Sequence, residues 1–304
     1  MSRAFLIKKN NTAGEYGKSI MIDTGTPVLL CELTELGVCI LTMNRPAGRN
    51  SIGDDMTPFI RHMLHILKDD DRVRCLVITG AGGAFSAGGN FMGTDKADVT
   101  PPPLPPAPDG WKPLETDKHG NFKQMQRTLT GAIYNFPVPT IAALPGAAAG
   151  AGASIALACD MRVASTKGFI TTAYVDIGLT GDYGGTYTLT ELVGPAKAKE
   201  LAFTNTRVYG EEGERLGIFN QCVPDGELMK ATMELANRIA DKPPQTVAVL
   251  KDNINFAVSG ADFLTALDHE GVNLRQHTES KKGQAEFAMM RQRFQDRMNA
   301  RRKK

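Results

Sequence analysis

Two segments rich in small residues could together hold negative charge on one oxygen atom. The first, "GAGGAFSAGGNFMG", covers residues 80–93, and the second, "LPGAAAGAGASIALACD", covers residues 144–160. Small residues let a ligand approach the main chain, and the first turn of the helix predicted in the second segment has unpaired N–H groups. If the two segments face each other, each can donate one N–H to a carbonyl oxygen on which charge develops. Either segment alone is also explained by close packing between a strand and a helix.

Short apolar strands and helices alternate along the first two thirds of the chain. An amphipathic helix is predicted in "DDMTPFIRHMLHILKDD" (54–70), and an apolar helix in "ASIALACD" (153–160). The alternation predicts an α/β (α+β) fold around one sheet. From about residue 226 the pattern is helical only, which predicts a separate helical subdomain. The predicted strands are "VCILTMN" (38–44), "CLVITG" (75–80), "TIAALPG" (140–146) and "MRVAST" (161–166).

The segment "TPPPLPPAPDGWKPLETDKHG" at 100–120 interrupts this alternation. Its seven prolines favour extended backbone and are incompatible with a helix. Two interpretations remain open at this stage, a surface loop and a lid over the site.

The composition argues against several classes of partner and site. A net charge of +2 gives no electrostatic reason to expect nucleic acid or a membrane as partner. The five cysteines lack the spacing of metal ligands, so we expect no metal site. The N-terminus lacks the pattern of a secretory signal, and no apolar run is long enough to span a bilayer. A cytoplasmic location is therefore expected.

Four successive segments resemble the crotonase, or enoyl-CoA hydratase/isomerase, superfamily. The resemblance implies a spiral of repeated ββα turns over residues 28–225, after an N-terminal extension at 1–27. It also implies a helical region at 226–304 that builds homotrimers, and often hexamers. The segments are "LTMNRPAGRNS", "CLVITGAGGAFSAGGNF", "PTIAALPGAAAGAGASIALACDMRVAS" and "IGLTGDYGGTYTLTELVGPAKAKELAFT".

The resemblance also implies a coenzyme A thioester as substrate, with no permanently bound cofactor. By position, the N–H groups of Gly89 and Ala151 would bind the oxygen of a thioester enolate. Contacts to coenzyme A are expected near Arg49 and Asn50 and from main-chain groups of the segment Ser86, Ala87, Gly88, Gly89 and Asn90. One departure is Met92, which replaces a lysine that some members of the superfamily carry.

The acid–base residues of this sequence depart further from the superfamily pattern. Hydratases of the superfamily use two glutamates, and here Ser154 and Tyr174 occupy those positions. Asp182 remains, at a position where isomerases of the superfamily keep a proton-shuttling Asp and dehalogenases a nucleophilic one. Double-bond isomerisation is therefore our first hypothesis. Hydration by an altered acid–base set, hydrolysis or dehalogenation through Asp182, and non-catalytic binding of CoA thioesters are the alternatives.

Each of these residues also has a purely structural interpretation. Asp182 could cap a turn before Gly184, Tyr174 could be a core aromatic residue, and Ser154 could bond back to its own helix. The stretch "GASIA" (152–156) imitates the nucleophile elbow of a serine hydrolase, but it lacks the last glycine. The glycine spacing also fails to match a dinucleotide-binding motif.

Overall fold

A computed structural model of the chain describes residues 13–14, 17–90 and 98–302, and its centre is a mixed sheet of eight strands. The strand order is β1-β2-β3-β4-β5-β6-β8-β11. Strands β1 to β4 pair antiparallel, and the strands from β4 to β11 pair parallel. The bounds are β1 Ala13–Gly14, β2 Gly17–Ile22, β3 Leu29–Thr34, β4 Val38–Met43, β5 Cys75–Gly80, β6 Thr140–Leu144, β8 Met161–Ser165 and β11 Gln221–Val223.

Alternation along the strands divides the core into two layers. In β5, Leu76 and Ile78 face the larger apolar cluster, which includes side chains of α1 (Thr57–Leu67). Cys75 and Val77 point to the opposite face, where α7 (Leu228–Ala240) packs. Successive side chains of a strand point to opposite faces, so a sheet covered on both sides needs apolar residues at every position. All six residues of β5 are accordingly buried.

The chain repeats a strand–strand–helix unit that connects the large sheet to a second sheet of three short strands. The unit β6–β7–α4 is followed by β8–β9–α5, and in each unit one strand lies in the large sheet and the next in the small one. This arrangement confirms the predicted fold class of repeated ββα turns. The bounds are β7 Ala147–Ala149, β9 Phe169–Thr171, β10 Val208–Tyr209, α2 Gly120–Thr128, α3 Thr130–Tyr134, α4 Ala151–Ala158, α5 Gly185–Thr204 and α6 Gly210–Arg215.

The C-terminal helices divide into one that belongs to the core and three that pack on one another. Helix α7 covers the sheet, whereas α8 (Pro244–Val258), α9 (Phe263–Glu279) and α10 (Lys281–Arg302) form a layer of their own. Glu286 of α10 accepts the N–H groups of Gln245 at 2.8 Å and Thr246 at 3.0 Å, at the N-terminus of α8. A carboxylate there satisfies unpaired donors and the helix dipole. The division of the chain at residues 27 and 225 stays a prediction.

The proline-rich segment contains turns and neither helix nor strand until Gly120, its last residue, begins α2. It is attached to α2, where the Gln124 side-chain amide donates to the Pro105 carbonyl at 2.9 Å. Across the described ranges, no helix has both the length and the apolar character to cross a membrane.

Candidate active site

The two small-residue segments lie side by side. The Ser86 N–H donates to the Ala147 carbonyl, and the Ala149 N–H donates to the Ser86 carbonyl, both at 2.9 Å. Glycine is required for this approach, because a Cβ on Gly88 would lie 2.5 Å from the Ala149 carbonyl oxygen. A Cβ on Gly152 would likewise lie 2.5 Å from the Ser86 carbonyl oxygen. The small residues noted in the sequence therefore bring two pieces of main chain into direct contact.

Gly89 and Ala151 are the two positions at which this contact leaves N–H groups available. Among the described residues, neither N–H donates a hydrogen bond. Ala151 opens α4, and no described side chain accepts the N–H groups of its first turn. A Cβ added to Gly88 would lie 3.4 Å from the Ala151 nitrogen, and one added to Gly89 would meet nothing within 4 Å. The geometry can therefore present two N–H donors to an anion in open space.

Asn50 and Ser86 brace the segment that carries Gly89. The Asn50 side chain is fully buried, and its amide donates to the carbonyls of Ala81 and Ala84, both at 2.8 Å. The Ser86 hydroxyl donates to the Asn50 carbonyl at 2.7 Å and accepts the Gly88 N–H at 3.2 Å. All these polar atoms have partners inside the protein, so neither side chain is directed at a ligand.

Arg49, Ala87 and Asn90 lie on the outer side of the same segment. Arg49 is exposed, has a φ of 49°, and has no ion pair within the described ranges. The Ala87 N–H donates to the Arg49 carbonyl at 2.9 Å, and the Asn90 N–H donates to the Ile52 carbonyl at 2.8 Å. Arg49 therefore lies at the surface beside the segment that carries Gly89, whereas Met92 falls outside the described residues.

Asp182, Tyr174 and Ser154 form one hydrogen-bonded cluster. The Tyr174 hydroxyl donates to Asp182 Oδ1 at 2.7 Å. The Ser154 hydroxyl donates to the Asp182 carbonyl at 3.1 Å and lies 3.2 Å from the Tyr174 hydroxyl. Ser154 is on α4, three residues after Ala151, so the cluster adjoins the first turn of that helix. The structure thus brings together the three side chains that the sequence singled out.

Burial controls the protonation of this cluster. It raises the pKa of the Asp182 carboxyl above its ordinary value, while the hydrogen bond from Tyr174 acts in the opposite direction by stabilising the carboxylate. Burial also raises the pKa of the Tyr174 hydroxyl, which therefore remains a donor at neutral pH. A carboxylate in such surroundings is a stronger base than one in water, which suits proton abstraction.

Asp182 and Ser154 also make contacts of a purely structural kind. The Asp182 carbonyl accepts the Gly185 N–H at 3.3 Å in a turn before α5, although no described side chain caps that helix. Ser154 lies in the fourth position of α4 and is almost fully buried, unlike the exposed serine at a hydrolase elbow. Its hydroxyl does approach the Gly150 carbonyl, at 3.4 Å, as a helical serine bonded to its own backbone would.

Arg61 is a residue near the site that the sequence did not reveal. It is buried on α1, and its guanidinium donates to the Tyr183 hydroxyl and the Met125 carbonyl, each at 3.2 Å. The Tyr183 N–H donates to the Gln126 side chain at 2.8 Å, and Tyr183 has a φ of 53°. Helices α1 and α2 thus fix the residue that directly follows Asp182. The available signal was a charged residue inside the apolar stripe of α1.

The described residues contain no group of three His, Cys, Asp or Glu side chains that could hold a metal ion. All five cysteines carry free thiols, four of them buried.

Comparison with known proteins shows to which family the chain belongs. The model of the family described as "Enoyl-CoA hydratase/isomerase" matches residues 34–101 and 111–299, which is most of the chain. The chain belongs to the enoyl-CoA hydratase/isomerase family. The interval between the matched ranges, 102–110, is the central part of the proline-rich segment. Members of this family are lyases or isomerases that act on CoA thioesters. The protein is an enzyme of this family.

Individual relatives of this family member differ in the reaction that their names give. The chain is 34% identical over 223 residues to the 1,2-epoxyphenylacetyl-CoA isomerase of Escherichia coli, covering 73% of this chain and 80% of that protein. It is 31% identical to the short-chain-enoyl-CoA hydratase of Clostridium acetobutylicum, covering 77% and 83%. A crystal structure of an enoyl-CoA hydratase subunit from Geobacillus kaustophilus superposes with a TM-score of 0.72 at 28% identity, covering 88% and 96%.

Proposed function

We propose that this member of the enoyl-CoA hydratase/isomerase family moves the double bond of an enoyl-CoA, with Asp182 as the group that transfers the proton. The observation that supports this most directly is the partly buried Asp182 carboxylate, hydrogen-bonded to Tyr174 next to the turn that carries the Ala151 N–H. One base and one anion-binding site are what a proton shift through an enolate requires.

In this mechanism, Gly89 and Ala151 donate their N–H groups to the thioester oxygen. Asp182 removes a proton from the α-carbon of the 3-enoyl thioester, the C–H electron pair forms a double bond to the thioester carbon, and the carbonyl pair moves onto the oxygen. Protonated Asp182 then delivers the proton to the γ-carbon. The oxygen pair re-forms the carbonyl, the pair between the α-carbon and the thioester carbon forms the α,β double bond, and the former β,γ pair takes the proton. Two preorganised donors lower the barrier because they stabilise the charge only as it develops, and one such donor is typically worth about 10² to 10³ in rate.

The residues around Asp182 favour isomerisation over hydration. Hydration needs one group that activates water and a second that protonates carbon, whereas double-bond isomerisation needs only one group that carries the proton. Ser154 and Tyr174 supply hydroxyls at 3.2 Å from each other, and burial keeps Tyr174 protonated. Tyr174 thus orients Asp182 and Ser154 holds the loop, while Asp182 alone exchanges the proton.

The outer side of the Gly89 segment is the place that we propose for coenzyme A. Arg49 offers an exposed cation for its phosphates, and Ala87 and Asn90 offer main-chain carbonyl groups, since the N–H groups of Ala87, Gly88 and Asn90 are bonded within the protein. Asn50 and Ser86 contribute by bracing this segment from behind. Coenzyme A enters as part of the thioester, and we propose no permanently bound cofactor.

We also propose that the protein assembles as a homotrimer, or as a hexamer of two trimers. Several large apolar side chains on α9 and α10 are exposed, and a second copy of the chain would bury them. Sedimentation velocity tests this, since three or six chains per particle support it and a monomer contradicts it. The exposed residues are Phe263, Leu264, Leu267, Phe287 and Phe294. Five free thiols fit a reducing compartment such as the cytoplasm.

Product analysis tests the reaction. The protein is incubated with a 3-enoyl-CoA and, separately, with a 2-enoyl-CoA. The products are separated by chromatography, and their masses are measured by mass spectrometry. We expect interconversion of the two isomers without a mass change, and loss of this activity in Asp182→Asn. A gain of the mass of one water in either incubation, with no isomer formed, would favour hydration instead.

A further inference from the structure

A cavity of about 680 Å³ opens beside the loop that carries Asp182, and we call it the tryptophan cavity. Helices α2 and α3 form one wall, and the first turn of α5 forms another. Residues 111–117 of the proline-rich segment form a third. Its volume is in the range of small-molecule sites. The residues that matter here are Trp111, Gln126, Tyr134, Tyr183, Gly184 and Tyr187.

The cavity is within reach of the proposed reaction centre. Tyr183 and Gly184 directly follow Asp182, and Gly185 packs so closely on Ser154 that a Cβ there would lie 2.4 Å from the Ser154 hydroxyl oxygen. Ala158, at the far end of α4, also lines the cavity. At 1.5 Å per residue, the far wall is roughly 10 Å along the helix axis from Ala151. A short acyl chain that ends in a ring can span this distance.

Aromatic side chains distinguish this cavity from a plain apolar pocket. Trp111, Tyr134, Tyr183 and Tyr187 all line it. The rings of Tyr134 and Tyr187 already meet edge to face, with centroids 6.5 Å apart. Aromatic rings favour this geometry, and a further ring from a ligand gains the same contacts. Tyr187 is 48% exposed, so part of its ring is open to such a partner.

Most of the charged side chains around the cavity form ion pairs with neighbouring side chains of the protein. Lys123 pairs with Asp117 at 2.8 Å, and Arg127 pairs with Asp109, so these two cations are already engaged. The Arg127 guanidinium also lies over the Trp111 ring, 4.8 Å from its centroid, and holds this ring in place. Lys112 is the cation that lines the cavity without an ion pair among the described residues. Because Lys112 is exposed to solvent, its single charge attracts a carboxylate only weakly, and the cavity holds no buried cation to pair with an acyl group that ends in one.

We propose that the tryptophan cavity binds the aromatic ring of an arylacyl-CoA, and that Trp111 and Tyr187 select for it. This rests on the proposed function in one respect, namely that the thioester oxygen is bound at Gly89 and Ala151. Trp111 lies within the proline-rich segment. Contacts of Asp109 with Arg127 and of Pro105 with Gln124 attach this segment to α2. That segment therefore acts as a support for the ring-binding wall.

The protein carries its own probe, because Trp111 is its single tryptophan. The full chain is titrated with phenylacetyl-CoA, cyclohexylacetyl-CoA, glutaryl-CoA and free coenzyme A, and the tryptophan fluorescence gives each dissociation constant. Cyclohexylacetyl-CoA matches the size of the aromatic compound without its π system. We expect phenylacetyl-CoA to change the fluorescence most and to bind about two- to tenfold more tightly than cyclohexylacetyl-CoA.

Two matched variants test whether the preference for phenylacetyl-CoA over cyclohexylacetyl-CoA comes from this cavity. Tyr187→Ala should remove most of the difference between the two ring compounds. Tyr209→Ala should retain it, because Tyr209 is similarly exposed, at 45%, but lies on β10 and does not line the cavity. Equal binding of both ring compounds by the unmodified chain would overturn the proposal, and so would tightest binding of glutaryl-CoA.

The titration separates this proposal from the proton-transfer mechanism. Binding needs no proton transfer, so Asp182→Asn should show the same preference for phenylacetyl-CoA. A variant that loses activity but keeps this preference supports both proposals. If phenylacetyl-CoA bound no better than free coenzyme A, the cavity proposal would be overturned, while isomer interconversion would still test Asp182.

Discussion

The hydroxyl of Tyr174 donates a hydrogen bond to Oδ1 of Asp182 at 2.7 Å, and this contact determines how the proposed base is held. Burial of Asp182 raises its pKa, and the Tyr174 hydrogen bond limits that rise. The hydrogen bond thereby favours the ionised form of the carboxyl and orients one of its two oxygens, which leaves the other oxygen for substrate.

Replacing Tyr174 by Phe should shift the acid limb of the pH–rate profile. The hydrogen bond stabilises the ionised carboxyl, so its loss raises the pKa of Asp182 further. Activity requires the carboxylate and falls as pH drops through this pKa. The acid limb of kcat/KM should therefore move to higher pH in Tyr174→Phe. Tyr209→Phe serves as the control, and an unchanged limb in Tyr174→Phe would argue that Asp182 is not the base.

Ala151→Pro should remove one anion-binding N–H and leave the helix in place. Ala151 is the first residue of α4, a position that tolerates proline because its N–H has no partner in the helix. Gly150, with φ 53° and ψ −126°, lies outside the α region that a following proline disfavours. We expect kcat/KM to fall by about 10² to 10³.

Lys281→Pro is the matched control for this loss, because Lys281 is the exposed first residue of α10, follows Ser280 in extended conformation, and is far along the chain from the site. Its activity should be unchanged. Melting temperatures of both variants should stay within about 4 °C of the unmodified protein. Full activity in a folded Ala151→Pro protein would show that this N–H does not stabilise the enolate.

Lys251→Met should weaken the attachment of α8 to the sheet. The Lys251 ammonium lies 2.8 Å from Asp160, whose carboxylate also accepts the N–H and hydroxyl of Thr140. The lysine is only 10% exposed, so its removal leaves a poorly solvated carboxylate and should cost about 1 to 3 kcal/mol of unfolding free energy. Urea denaturation measures this.

Lys197→Met provides the comparison, because Lys197 forms an exposed pair with Glu200 on α5. Its effect should stay within about 0.5 kcal/mol. If the two variants were equally stable, the Lys251–Asp160 contact would not contribute to holding α8.

The features predicted correctly from the sequence are those with local signals. The periodicity of β5 and α1 and the small residues before α4 each depend on neighbours a few positions apart. The Arg61–Tyr183 hydrogen bond joins residues 122 positions apart, and nothing near either residue indicates its partner. The same holds for the side-chain partners of Asn50, near which the resemblance implies that coenzyme A enters, and that implication stays a prediction. Its buried side chain binds the carbonyls of a turn more than 30 residues away.

The placement of Trp111 is a second feature that only the structure reveals. Seven prolines between residues 100 and 120 predict extended backbone, but they carry no information on where that backbone lies. Its position follows from contacts of Pro105 and Asp109 with α2, which are set by tertiary packing.

Deuterium incorporation from heavy water tests the role of Asp182 most directly. A panel of saturated and unsaturated acyl-CoAs, phenylacetyl-CoA included, is incubated with the unmodified chain and with Asp182→Asn, and the exchange at the α- and γ-carbons is measured by mass spectrometry. We expect the unmodified chain to exchange these protons and Asp182→Asn to be slower by about 10² to 10⁴, the usual contribution of a general base. Exchange at an equal rate in both proteins would contradict proton transfer by Asp182.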